Sequence, residues 1–169
     1  DKAAFDQLDQ RHLDWIAELP TTMTVFDDVF LCHGTPTSDS TYWLERVEQS
    51  GAVRSATLAE IETDAEDVNA DLILCAHTHI PRCIRLPDGR TIVNPGSVGC
   101  PAYDDEKPVY HHMQTGTPNA SYAVIEGHKN AWIIVFRSLP YASDDASKLA
   151  ARNGRPDWAR ALATGWFES

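Results

Sequence analysis

Positive charge is scarce in this chain: 14 Lys plus Arg stand against 25 Asp plus Glu among 169 residues, a net charge of −11. That balance disfavours non-specific association with nucleic acid or an anionic membrane surface and makes a cation the more natural partner. Long apolar runs are missing too. The stretch Ala131-Trp132-Ile133-Ile134-Val135-Phe136 falls far short of the roughly 20 residues that cross a bilayer, so no transmembrane helix is expected. Asp1-Lys2-Ala3-Ala4 offers neither an initiator Met nor the basic-then-apolar order of a secretion signal, and reads as an internal start of a cytoplasmic protein. Cysteines number four, Cys32, Cys75, Cys83 and Cys100, and never fall in a Cys-x-x-Cys spacing; reduced, mostly buried thiols are expected. Repeats, low-complexity tracts and linkers are also absent, which leaves one domain over residues 1–169.

What is present is enough apolar residue, 43%, for a sizeable core. Phe5, Leu8, Trp15, Ile16 and Leu19 keep a helical period over 3–19, stopped by Pro20, and predict a helix docked on a sheet. Runs 23–26 and 29–32 around Asp27-Asp28 predict a hairpin. Residues 40–50 read as a helix closed by Gly51, and Thr57 with Glu60 forms a capping box opening another helix to about Val68. Asp71 to Cys75 has the continuous apolar pattern of a doubly buried strand. Runs 82–86 and 90–93 flank the turn Pro87-Asp88-Gly89 as a second hairpin. The irregular stretch 100–119 reads as a long surface loop containing His111-His112 and the solvated acidic run Asp104-Asp105-Glu106. A third hairpin is expected over 121–126 and 131–137 around Gly127-His128-Lys129-Asn130, then two closing helices at 143–152 and 156–163.

Chemistry concentrates at three strand ends: Leu31-Cys32-His33-Gly34, Ala76-His77-Thr78-His79 and Asn94-Pro95-Gly96-Ser97. His77 and His79 stand at i and i+2, and a turn just past a strand lets both imidazoles converge on ions. His33 alone carries little weight, because a lone histidine after a strand is more often a hydrogen-bonded packing residue; its credit comes from this company. Asn94, Gly96 and Ser97 admit two readings of equal weight. They are a tight turn and nothing more, or a turn whose amides and Ser97 hydroxyl touch a phosphate oxygen. His12, His111, His112 and His128 read as solvated or packing residues. No Asp-x-His or Gly-Asp pair precedes His33, so imidazoles are present without the bridging carboxylate of a dinuclear centre.

In order and spacing, the His-Gly, His-x-His and Asn-Pro-Gly-Ser segments resemble the C-terminal motifs of calcineurin-like metallophosphoesterases, especially the small prokaryotic phosphodiesterase branch. The resemblance covers nearly the whole chain as the C-terminal portion of that domain. It implies a four-layer α/β/β/α sandwich of which this chain carries the C-terminal part, with exposed sheet surface through which an isolated fragment would aggregate, pair with itself or be unstable. It implies two divalent transition metals, Mn, Fe, Zn or Ni, with His33 and His77 on the second and His79 on the first. The implied reaction is hydrolysis of a phosphomono- or phosphodiester by a metal-bridged hydroxide, and the implied partner is a small phosphate ester rather than a nucleic-acid polymer or a membrane. The family's N-terminal carboxylate motifs do not occur here, so this chain alone is expected to hydrolyse poorly. Ala76 stands where the family usually has Gly, which asks for ordinary backbone angles at that position. Two other readings stay open: a truncated or degenerate phosphoesterase fold serving as a binding or scaffold module, and a mononuclear three-histidine metal site.

Overall fold

A computed structural model describes residues 2–128 and 131–167. Helices α1 (Lys2–Phe5) and α2 (Gln10–Ala17) lead into a hairpin of β1 (Met23–Val25) and β2 (Val29–Leu31). Strands β3 (Glu45–Val47) and β4 (Val53–Ser55), helix α3 (Leu58–Asp64) and strand β5 (Leu72–Leu74) follow. Next come β6 (Arg82–Arg85), β7 (Thr91–Asn94), β8 (Ala102–Asp105), β9 (His111–Gln114), β10 (Ala120–His128), β11 (Ala131–Leu139), α4 (Ser143–Arg152) and α5 (Pro156–Thr164).

The central sheet has the order β1-β2-β5-β7-β6. Its three middle strands, β2, β5 and β7, are parallel, and β1 and β6 close the edges antiparallel. Because side chains alternate across a strand, register decides what each face buries. Phe30 stands beside Ile73, Ile73 beside Ile92, and Ile92 beside Ile84. That row packs against Trp43, Leu44, Ile61 and Ala65, placing α3 over one face. Val29, Leu72, Leu74 and Val93 meet Ala123, Ile125, Trp132 and Ile134 of the β10–β11 hairpin on the other. Helix, sheet and second sheet are thus layered as the four-layer sandwich requires. Beyond the hairpin, Val124, Ile133 and Val135 are exposed. Between it and the central sheet lies an apolar cleft of about 680 Å³ lined by Val25, Leu31, Leu72, Leu74, Ile125 and Trp132.

The capping box forms as read. Thr57 Oγ1 accepts from the Glu60 amide, and Glu60 Oε2 accepts from the Thr57 amide at 2.7 Å. Arg54 then grips the same carboxylate at 2.7 and 2.9 Å, which holds Glu60 well below the usual carboxylate range. The hairpins at 23–31, 82–94 and 120–139 and both closing helices also form.

Three expectations are corrected. Residues 40–50 are no helix: Tyr42, Trp43 and Leu44 pass through bends with their side chains buried, and Glu45–Val47 pairs with β4 around Gly51, whose φ is +84°. Tertiary burial of a Tyr-Trp pair outweighed helix propensity there. The stretch 100–119 is not a surface loop but the β8–β9 hairpin, with His111 and Met113 buried and α5 packed on Ala102 through Ala161. Asp104 and Asp105 sit in β8, and Asp105 is half-buried. The first helix breaks in two at Asp9, whose carboxylate caps α2 by accepting from the His12 amide, and none of the α2 residues is buried. The cysteines are all free, with Cys75 buried, Cys32 and Cys100 half-buried and Cys83 exposed. Among the described residues, no helix is long and apolar enough to cross a membrane.

Candidate metal centre

Because β2 and β5 are parallel, their C-terminal ends open on the same edge of the sheet, the position where α/β sheets hold ligands. The ladder runs one step past the strands: Cys32 donates its amide to the Leu74 carbonyl at 3.0 Å, and Ala76 donates to the His33 carbonyl at 2.8 Å. Those bonds lock the His33 turn onto the His77 turn. The His33 and His77 rings then stand 5.0 Å apart, centroid to centroid. Gly34 is required beside them, since a Cβ there would meet the Ser38 and Thr41 carbonyl oxygens at 2.6 Å.

His77 and His79 both adopt left-handed backbone, φ +62° and +61°, a region that costs non-glycine residues about 1–2 kcal/mol each. Ala76 is not among the positive-φ residues, so the unusual angles fall on the histidines themselves. Strain of this kind gathers where a site over-determines its backbone, and the partners that impose it here are specific. Asn94, buried on β7, donates Nδ2 to the Ala76 carbonyl at 2.6 Å and to Thr78 Oγ1 at 3.0 Å, while its Oδ1 accepts from the Gly96 amide. Ser97 Oγ accepts from the Gly99 and Cys100 amides. The Asn-Pro-Gly-Ser turn therefore fastens the His-x-His turn from below. Gly96, at φ +88°, leaves no room for a side chain against Ser121 and Pro81.

The His79 ring is fixed by Nδ1 at 2.9 Å from the Cys100 carbonyl, which assigns the proton to Nδ1 and the lone pair to Nε2, the usual arrangement of a metal-ligating imidazole. Burial first, and then the neighbouring His33, lower the His77 pKa; burial lowers that of His79. Both rings are thereby held in the neutral form that ligation needs near pH 7. In chemistry these donors fit borderline divalent ions. They are an imidazole set without carboxylates: among the described residues, no three His, Cys, Asp or Glu side chains form a ready-made metal-holding group.

Three further residues serve the centre from segments whose structure the sequence reading missed. Tyr103 on β8 donates its hydroxyl to the His77 carbonyl at 3.0 Å and sets its ring edge-on to His79 at 5.1 Å. Its oxygen also lies 3.2 Å from the Tyr42 hydroxyl. Tyr42 packs on the His77 ring at 4.6 Å and donates to Nε2 of buried His111, whose Nδ1 faces the Val109 carbonyl at 2.8 Å. Burial drives the Tyr103 phenol well above its usual range, so it stays a donor. The adjacent aromatic pair Tyr42-Trp43 is the local signal for Tyr42; Ala102-Tyr103-Asp104-Asp105 has no alternation that marks a strand, and nothing local marks Tyr103 or His111. His12, exposed, belongs to the α2 cap; His112 packs against Phe167; the His128 side chain lies outside the described residues. Replacing Tyr103 by Phe keeps the ring and removes the donor, and is expected to weaken Mn²⁺ binding about tenfold in calorimetry, at the low end for supporting groups around a metal.

The sequence pattern of the calcineurin-like phosphoesterase superfamily domain matches residues 7–128. This chain belongs to that superfamily. A comparison with curated proteins finds no match. Among solved structures, a metallophosphoesterase from Sphaerobacter thermophilus is 23% identical with a TM-score of 0.72, over 95% of this chain and 65% of its own. A hypothetical protein from Pyrococcus horikoshii OT3 is 15% identical with a TM-score of 0.65, over 97% of this chain and 58% of its own. The superfamily's fold is therefore present, and the chain spans less than two thirds of either relative.

Proposed function

We propose that this phosphoesterase-superfamily chain carries the histidine side of a dinuclear centre that hydrolyses small phosphate esters. The observation that supports this best is the meeting of His33 and His77, 5.0 Å apart, at the ends of two parallel strands, with His79 held two residues on. In this reading His33 and His77 hold one divalent ion and His79 the other, while carboxylate donors complete both. When bound, such a pair supplies Lewis acidity at phosphorus and a water acid enough to attack at neutral pH. The chain's own residues do the positioning: Asn94 and Gly96 set the two turns, Tyr103 holds the His77 backbone, and the Cys100 carbonyl keeps the His79 proton on Nδ1. Ser97 accepts two amides and retains its hydroxyl proton, which suits it to a phosphate oxygen. The net charge of −11 favours small esters over nucleic-acid polymers.

The test is hydrolysis of p-nitrophenyl phosphate and bis-p-nitrophenyl phosphate by Mn²⁺-loaded protein before and after EDTA. Loss on chelation and recovery with Mn²⁺ are expected, slow for the 169-residue chain. Hydrolysis that ignores EDTA contradicts the proposal.

A further inference from the structure

Strand β8 carries two acids on opposite faces. Side chains alternate along a strand and share a face with their partners across an antiparallel pair, so Asp104 goes with His112, and Asp105 goes with Tyr103 and His111. The second face is the one turned to the histidines: Tyr103 donates to the His77 carbonyl, and His111 meets the Tyr42 hydroxyl. Asp105 is half-buried there and, with His77, Tyr42, Arg46 and Lys107, lines a cavity of about 400 Å³. Its Oδ1 accepts from the Lys107 amide at 3.0 Å. Among the described residues Oδ2 accepts no hydrogen bond, and the carboxylate forms no ion pair. The neighbouring cations do not neutralise it. Arg46 holds Asp64 at 2.8 Å and the carbonyls of Trp43 and Glu45, and the exposed Lys107 makes no ion pair with Asp105. The charge is felt at the histidine: burial and His33 lower the His77 pKa, and Asp105 pulls it the other way. The cavity that opens beside His77 thus holds an uncompensated carboxylate with one oxygen free to accept.

We propose that Asp105 binds an ammonium group on the substrate, so that the chain takes phosphate esters of amino alcohols, with the phosphate at the histidines and the ammonium in this cavity donating to Asp105 Oδ2. The proposal rests on the phosphoesterase reading, which puts the phosphate beside His77, and adds to it the class of alcohol. A hydroxyl in the same place would give the hydrogen bond alone, whereas an ammonium adds Coulomb attraction to it. A second anionic group on the alcohol would be repelled. The net charge of −11 draws any cation towards the chain at long range, so the test carries a control of equal charge.

The experiment is calorimetric binding of 2-aminoethyl phosphate and 2-hydroxyethyl phosphate, which differ only in ammonium for hydroxyl, to the Mn²⁺-loaded chain. The amino ester is expected to bind at least about tenfold more tightly, the scale of one hydrogen bond between charged groups. Asp105→Asn and Asp105→Ser, each of which keeps an oxygen for the Lys107 amide, are expected to bring that ratio close to one, with folding checked by thermal melting. Asp104→Asn removes the same charge from the opposite face of β8 and is expected to leave the ratio unchanged. A wild-type ratio near one, a preference that survives both Asp105 variants, or one that falls equally in Asp104→Asn overturns the proposal. Loss of Mn²⁺ binding by Asp105→Asn also overturns it, by making this carboxylate a metal ligand instead. Inorganic phosphate titrated into the same Mn²⁺-loaded chain separates the two levels: if phosphate binds and the ratio is near one, the ammonium site alone fails, and if phosphate does not bind, the phosphoesterase reading beneath it fails as well.

Discussion

His77→Ala is expected to lower Mn²⁺ affinity by about two orders of magnitude or more, beyond the 10–100-fold typical of supporting groups around a metal. The size of the effect follows from how much converges on this residue. Its ring touches both His33 and Tyr42, and its carbonyl takes the Tyr103 hydroxyl. Alanine at φ +62° also adds backbone strain, which would be confused with ligand loss. His77→Asn separates the two effects, because asparagine tolerates the left-handed region while offering no imidazole. The two variants should lose metal to a similar degree in elemental analysis after dialysis, and Asn should cost less thermal stability. Retention of the full metal content by His77→Asn would remove this histidine from the ligand set.

The largest expected effect on stability is Trp43→Ala, at about 4 kcal/mol. Trp43 is 1% exposed, packs with Ile61, Ile73 and Ile92, and donates Nε1 to the Ile61 carbonyl at 3.2 Å. Truncation would open a cavity beneath α3 and remove that hydrogen bond, although the Ile61 carbonyl keeps the Ala65 amide, against a total stability of only about 5–15 kcal/mol. The urea midpoint should fall by about 1.5–2 M with the slope unchanged. Ile133→Ser, at a position 63% exposed on the outer face of β11, should stay within about 0.5 kcal/mol. A shift of similar size at both positions would contradict the assignment of the core to the α3 face.

The elements legible in the sequence were those whose signal is local. Thr57 with Glu60 marks a helix start on its own, Pro87-Asp88-Gly89 marks a turn, and Asp71 to Cys75 is apolar enough to be buried whatever surrounds it. The histidine turns were legible for the same reason, as each motif lies within four residues. Non-local features stayed hidden. Tyr42 and Trp43 look helix-compatible until the sheet that buries them is known. Cys100 to Asn119 shows no period because β8 and β9 each supply only four residues and are defined by pairing with one another and by α5. Glu45 falls inside the stretch that reads as a helix in sequence, and only the fold buries it, setting Arg82, 37 positions away, against it. The positive φ of His77 and His79 has no sequence signature either, since Asn94, Tyr103 and Cys100 impose it from other strands and turns.

The central claim is that His33, His77 and His79 jointly hold divalent metal. Anomalous diffraction at the manganese edge, from crystals of this protein grown with Mn²⁺, tests it directly. The account predicts anomalous peaks about 2.2 Å from imidazole nitrogens of all three residues, with Asn94 and Tyr103 outside ligand distance. Peaks confined to other residues, or none at these histidines under saturating Mn²⁺, would contradict it.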